Sequence, residues 1–271
     1  MINGNKRNIK FRYLNGSRRK ERPKRNKMTL VIGAKCRDGI VLIGDKQVTR
    51  GTSTSEENKI SPIEAIGGVY VGASGDVAFF DKFKRQIKLD VGYIRQQKGA
   101  DKPIYDNIEQ FIVHCEDKLR YFTKQYELQD KSGDVIPVLQ ILVAVKLADS
   151  VSGDSTSLHY IDNVSCAEQE VKGCHAIGNG ATQADFYLGR LWKNDMTIKQ
   201  TIQLALFIFQ LIDKYNLNIS VGNKPQVFSI LNQGDAKDLS DAEISTLIKD
   251  AEKLFEFYDK SLGDMSAFLR K

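Results

Sequence analysis

The chain has 271 residues, 41% of them hydrophobic, which supports a real core and admits one large domain or two small ones. Its formal net charge of +6 misleads: residues 1–27 hold eleven of the forty Lys and Arg and one acid, Glu21, so the rest carries 29 basic against 33 acidic groups, net −4, and no nucleic-acid footprint. No apolar stretch approaches the ~20 residues of a membrane span, and residues 1–27 lack the apolar centre of a secretory signal, so a cytoplasmic protein is expected.

Residues 1–27 are rich in Asn, Arg, Lys and Gly, cannot bury enough surface to offset ordering entropy, and read as disordered, with order beginning at Thr29. Thr29 to Lys35 reads as a buried strand, Arg37-Asp38-Gly39 as a tight turn, and Ile40 to Ile43 as the returning strand of a hairpin. A polar loop with Thr52, Ser53, Thr54 and Ser55 leads to a second β segment, Gly68 to Gly72. A short helix carrying Phe79, Phe80, Phe83 and Ile87 precedes a longer amphipathic one, where Ile108, Ile112, Cys115, Leu119, Phe122 and Tyr126 recur at helical spacing. Strands are predicted at Val138 to Val145 and Leu158 to Ile161 around the turn-rich residues 149–154. The loop Gly178-Asn179-Gly180 feeds a helix from about Thr182 to Leu191.

The helix from Met196 to about Tyr215 is apolar on two faces and must be packed on both. A strand from Gln226 to Leu231 is followed by a closing helix with one stripe, Ile244, Leu247, Ile248, Ala251, Leu254, Phe255 and Tyr258. This order matches neither βα alternation nor an all-β pattern. The fold class expected is α+β: a four-layer α/β/β/α sandwich of two antiparallel sheets, which also accounts for a helix buried on two faces.

The four cysteines, Cys36, Cys115, Cys166 and Cys174, show no CxxC spacing and read as reduced thiols. Cys174-His175 is a lone adjacent pair of metal-capable residues without two further ligands, so no metal site is expected. Of the three histidines, His114, His159 and His175, none sits in a Ser or Cys nucleophile motif, and His114 reads as a tolerated helix residue. A nucleophile here needs another base. An α-amino group, with a pKa of about 7.7–8.0, serves if the nucleophile is the first residue of the mature chain. Met28-Thr29 is where that can arise, by methionine removal or by cleavage of a propeptide; the dipeptide taken alone favours the plainer reading of Thr29 as a β-branched residue opening a strand.

The run Thr29-Leu-Val-Ile-Gly-Ala-Lys-Cys-Arg-Asp-Gly-Ile-Val-Leu-Ile-Gly-Asp-Lys-Gln-Val-Thr49 resembles the opening of proteasome β-type subunits, members of the N-terminal nucleophile (Ntn) hydrolases. Asn58-Lys59-Ile60 is similar to that family's lysine segment, and Gly72-Ala-Ser-Gly-Asp76 to its glycine-aspartate turn into the first helix. The resemblance implies a threonine-type endopeptidase with Thr29 as nucleophile, Lys59 as the cation favouring proton loss, and Asp45 holding Lys59 charged. It further implies that Gly72 supplies the oxyanion N–H and that Thr49 binds substrate main chain. It implies a domain over 29–271 behind segment 1–28, read as a disordered basic propeptide or a misassigned N-terminal extension, with no cofactor, a peptide or protein substrate, and a homo-oligomer or ring with related subunits. The family's serine in the loop and its Asp-x-x-Ser pattern are replaced by Asn179 and Asn218, with Ser220 displaced by one, and an amide cannot supply a carboxylate's charge. A non-catalytic ring subunit and a peptide transferase or ligase are the alternatives. For the hairpin, a two-residue Asp38-Gly39 turn would pair Thr29 with Val48, and a three-residue turn would pair it with Gln47 and place Asp45 on the Thr29 face, the register expected to suit catalysis.

Overall fold

The computed structural model describes residues 26–27, 30–50, 53–64, 66–99, 102–129, 138–149, 153–164, 168–215, 219–220, 225–233 and 235–269. In chain order these form β1 (Asn26–Lys27), β2 (Val31–Cys36), β3 (Gly39–Asp45), β4 (Gln47–Arg50), β5 (Ser53–Glu56), β6 (Ile60–Pro62) and β7 (Val69–Gly75). Two helices follow, α1 (Val77–Lys98) and α2 (Ile108–Gln129), then β8 (Leu139–Asp149), β9 (Gly153–Asp162), β10 (Glu168–Glu170) and β11 (Cys174–Ile177). The remainder is α3 (Ala181–Leu191), α4 (Ile198–Tyr215), β12 (Ile219–Ser220), β13 (Pro225–Leu231), β14 (Ala236–Asp238) and α5 (Asp241–Leu269).

Strand alternation generates the layers. In β2 and β3, Ile32, Ala34, Cys36, Val41 and Ile43 pack with the buried residues of α3, α4 and α5, while Val31, Ile40 and Leu42 join Leu142, Ala144 and Leu158 between the sheets. In β8, Ile141, Val143 and Val145 turn the other way, onto Phe79, Phe83, Phe111 and Leu119 of α1 and α2. The two antiparallel sheets run β10-β9-β8-β7-β6 and β11-β2-β3-β13-β14. Three apolar clusters therefore separate four layers, helix, sheet, sheet, helix, as expected. Each fully buried Phe in them contributes roughly 1.5–3 kcal/mol of burial. The two-faced α4 lies between β3 and α5, with Leu204, Phe207, Ile208 and Leu211 all buried.

Local differences from the sequence reading have local causes. The first helix is not short: Ile87 and Val91 extend the buried stripe, the Asp76 carboxylate accepts from Phe79 N at 2.8 Å to start it, and Gly99 at φ 94° ends it. The polar loop around Thr54 is instead a two-stranded ribbon, β4 with β5, in which Thr49 pairs with Thr54. Asn26–Lys27 pairs in parallel with Ile219–Ser220, so these two residues are ordered; residues 1–25, Thr29, Thr52, Cys166 and Asn218 lie outside the described residues.

The hairpin adopts neither expected register. Cys36 pairs with Gly39 across a two-residue Arg37–Asp38 turn, and the ladder continues through Val31 opposite Gly44. Gly39 opens the second strand instead of occupying the turn, because β13 packs so close that a Cβ there would lie 2.0 Å from the Ile230 carbonyl oxygen. Leu30 thereby comes opposite Asp45, whose backbone N–H donates to the Leu30 carbonyl at 3.1 Å.

Candidate active site

Asp45 ends β3 and Lys59 immediately precedes β6, so the two approach from opposite sheets. Lys59 Nζ lies 2.7 Å from both carboxylate oxygens of Asp45. Asp45 is 0% exposed and Lys59 5%. Asp45 Oδ1 also accepts from Leu30 N at 2.8 Å, which with the Leu30 carbonyl bond makes Asp45 hold both backbone groups of the residue after Thr29. Burial pushes the Lys59 ammonium below its ordinary value, and the adjoining Asp45 carboxylate works the other way. The result is a dry ion pair anchored one peptide unit from Thr29.

Gly72 sits within β7, between Ile60 of β6 and Leu142 of β8, and a Cβ on it would meet Val31 Cγ1 at 2.8 Å. Ala73 N donates to the Lys59 carbonyl and Ile63 N to the Val69 carbonyl, so alternate residues of β7 face β6 and Gly72 faces β8. Its N–H is therefore spent in the β7–β8 ladder. Gly75, three residues on, faces the β6 side beyond the end of that strand, at φ 123° and exposed. It is the position that chain reading passed over, since only the ladder's alternation separates the two glycines.

On the other flank, Ile177 pairs with Val31, which brings Gly178-Asn179-Gly180 beside the start of β2. Gly178 N donates to Gln140 Oε1 at 3.0 Å, and Gln140 Nε2 donates to Tyr160 Oη at 3.1 Å, fixing the loop to the opposite sheet. Asn179 itself is exposed. A second glutamine, Gln226 of β13, makes a comparable crossing: its Oε1 accepts from Ile60 N at 3.1 Å and its Nε2 donates to the Ile60 carbonyl at 2.9 Å. Both were missed in the sequence, where the available signal was a polar residue at a strand position facing the inter-sheet core. Thr49 and Ser220 are placed by their backbones, in β4 and β12.

The histidines serve elsewhere. His114 Nε2 lies 3.0 Å from Asp90, joining α2 to α1, and burial pushes its pKa down while Asp90 opposes this. His159 Nε2 lies 2.8 Å from Ser157 Oγ, and His175 stacks edge-on against Tyr160.

A family model described as proteasome subunit matches residues 26–110, the span holding Asp45, Lys59, Gly72 and Gly75. The chain is 26% identical over 214 residues to a proteasome subunit alpha type-2 of Dictyostelium discoideum, covering 76% of this chain and 83% of that one. It is 22% identical over 178 residues to a proteasome subunit beta of Nanoarchaeum equitans, covering 66% of this chain and 81% of that one. These matches support a place in the proteasome/Ntn superfamily. Two stacked antiparallel sheets between helical layers agree with that likeness. Among the described residues, no helix is long and apolar enough to cross a membrane.

Proposed function

We propose that this chain is a catalytic, β-type proteasome subunit that hydrolyses peptide bonds through Thr29. The observation that carries this reading is the buried Asp45–Lys59 pair, whose carboxylate is bonded to the backbone of Leu30, the neighbour of Thr29. Thr29 is joined to Met28 in this chain, so its α-amine exists only once that peptide bond is cut. Segment 1–28 is then a propeptide and 29–271 the mature domain. The Lys59 charge favours the alkoxide of Thr29, and the freed α-amine takes the hydroxyl proton as Oγ1 attacks the substrate carbonyl carbon. The proton passes to the departing amine, an ester to Thr29 remains, and water activated by the same amine releases it. The oxyanion role, which resemblance gives to Gly72, is better suited to Gly75, whose N–H lies on the β6 side rather than in the β7–β8 ladder. Thr49, on β4, takes the substrate main chain by the family resemblance, and Asn179, Asn218 and Ser220 are assigned supporting roles that add no further charge. Assembly into a ring with related subunits, in the cytoplasm, goes with this reading.

The test is the intact mass and N-terminal sequence of the purified protein, before and after a threonine-directed epoxyketone. The expected product starts at Thr29 and gains the probe's mass, and Thr29→Ala abolishes the gain. The similarity to an alpha type-2 subunit over 214 residues favours a second reading, a non-catalytic ring subunit. A native chain that keeps residues 1–28 and never labels decides for it.

A further inference from the structure

We propose that Gln226 is a positioning residue for Lys59, its side-chain amide gripping the Ile60 peptide groups as a neighbouring strand would. β6 is the edge strand of its sheet. Because the Lys59 carbonyl is bonded to Ala73 N and Ile63 N to the Val69 carbonyl, the alternating ladder turns the N–H and C=O of Ile60 away from β7, toward the unpaired edge. An edge this close to a buried ion pair cannot be left to water. One amide satisfies both groups, accepting from Ile60 N at 3.1 Å and donating to the Ile60 carbonyl at 2.9 Å, with Gln226 only 4% exposed.

The origin of that amide matters as much as its bonds. Gln226 belongs to β13, in the sheet that supplies Asp45, where it pairs with Gly44 and its neighbour Pro225 pairs with Asp45. Asp45 and Lys59 come from different sheets, and two bonds from one side chain tie those sheets together within one residue of each partner. A shift between the sheets would otherwise move Lys59 Nζ off the carboxylate. Gln226 thus sets where the Lys59 charge sits without touching substrate.

The proposal rests on the reading of Lys59 as the catalytic cation, and its test separates the two. Gln226→Met keeps the side-chain length and removes donor and acceptor; Gln226→Glu keeps the acceptor for Ile60 N and sets an oxygen against the Ile60 carbonyl. In the unsubstituted full chain, amide exchange of Ile60 is expected to be as slow as that of the β7 ladder amides; exchange at the rate of an unstructured amide overturns the proposal, whether or not either variant folds. Lys59 13Cε titration, assigned with Lys59→Arg, is expected to move toward the ordinary lysine value in both Gln226 variants; a folded variant with an unmoved titration overturns it. In processed protein, kcat is expected to fall by up to about 100-fold with KM within about twofold. If unsubstituted protein and Thr29→Ala are equally inert, the catalytic reading has failed, and exchange and titration still decide the clamp. If turnover is present but Lys59 titration ignores Gln226→Met, the clamp has failed and the catalytic reading stands.

Discussion

Replacing Lys59 with methionine keeps the stem and deletes the charge, which leaves the Asp45 carboxylate 0% exposed with its cation gone. Removing one partner of a buried pair costs about 3–5 kcal/mol, because the remaining charge stays out of water after losing the attraction that offset its desolvation. An exposed pair of the same length would cost ~1 kcal/mol or less. The reciprocal change, Asp45→Asn, is expected to cost less, since Lys59 is already pushed down by burial and can shed its proton, while the new amide oxygen still accepts from Leu30 N. The double variant holds no buried charge, so its destabilisation should fall short of the summed single effects by about 2 kcal/mol or more. Urea unfolding of the full chain, with slopes compared as well as midpoints, measures all four corners. A Lys59→Met cost below about 1 kcal/mol, or additivity within ~0.5 kcal/mol, would refute the dry pair and with it the electrostatic argument for the site.

Three further outcomes are expected. Lys59 loses its proton in the native state below the ordinary 10.5 of the unfolded chain, so between those two values the unfolded chain binds more protons and this group's contribution to stability rises with pH. Epoxyketone labelling of processed protein should decline across that same window while thermal unfolding does not; parallel loss of both would separate the labelling decline from Lys59. Gly75→Ala is expected to cost more than Gly72→Ala, since a Cβ at Gly75 meets the Val138 carbonyl oxygen at 2.0 Å in a φ 123° backbone, whereas at Gly72 it meets only a Val31 methyl at 2.8 Å. Overpacking of the latter kind costs about 1–3 kcal/mol, and the reverse order in thermal denaturation would contradict the described strand end. Asn179→Ser exchanges one exposed polar side chain for another in a loop tied down by Gln140, so stability should change by about 0.5 kcal/mol or less. Any change in labelling rate would then report on chemistry alone.

The helices were legible because their 3.6-residue stripes are long: Ile108 to Phe122 and the two-faced run after Ile198 each leave one packing solution. The α/β/β/α order followed from these and from the strand runs between them. What escaped was set by partners distant in sequence. The hairpin register turns on the Ile230 carbonyl pressing against Gly39, a contact made only once β13 is docked. β11 is four residues, Cys-His-Ala-Ile, with no alternation to betray it. Apart from Val48, the ribbon of β4 and β5 is polar and looks like a loop to any hydrophobicity argument. At the site, Asp45 and Lys59 were readable from resemblance. The choice between Gly72 and Gly75 depends on which β7 amides face β8, and the Gln226–Ile60 contact joins residues 166 apart.

The balance between a catalytic and a purely architectural subunit turns on what a buried ion pair does for a fold. Apolar residues of similar volume in place of such a pair are often neutral or stabilising by about 1–4 kcal/mol, so stability alone gives little reason for Asp45 and Lys59 to be charged. The surrounding residues make the contrast sharper: Val31, Leu42, Ile60 and Leu142 are buried aliphatic side chains of the inter-sheet layer, and the charged pair adjoins them. An architectural role requires only the sheets to be joined there, which Gln226 and Gln140 already do with neutral amides. The pair adds a cation at fixed position beside the residue that follows Thr29, with the Lys59 N–H not committed to Asp45 left for another acceptor. On the proposed reading, that ammonium, kept charged by the Asp45 carboxylate, is the group that lowers the pKa of the Thr29 hydroxyl.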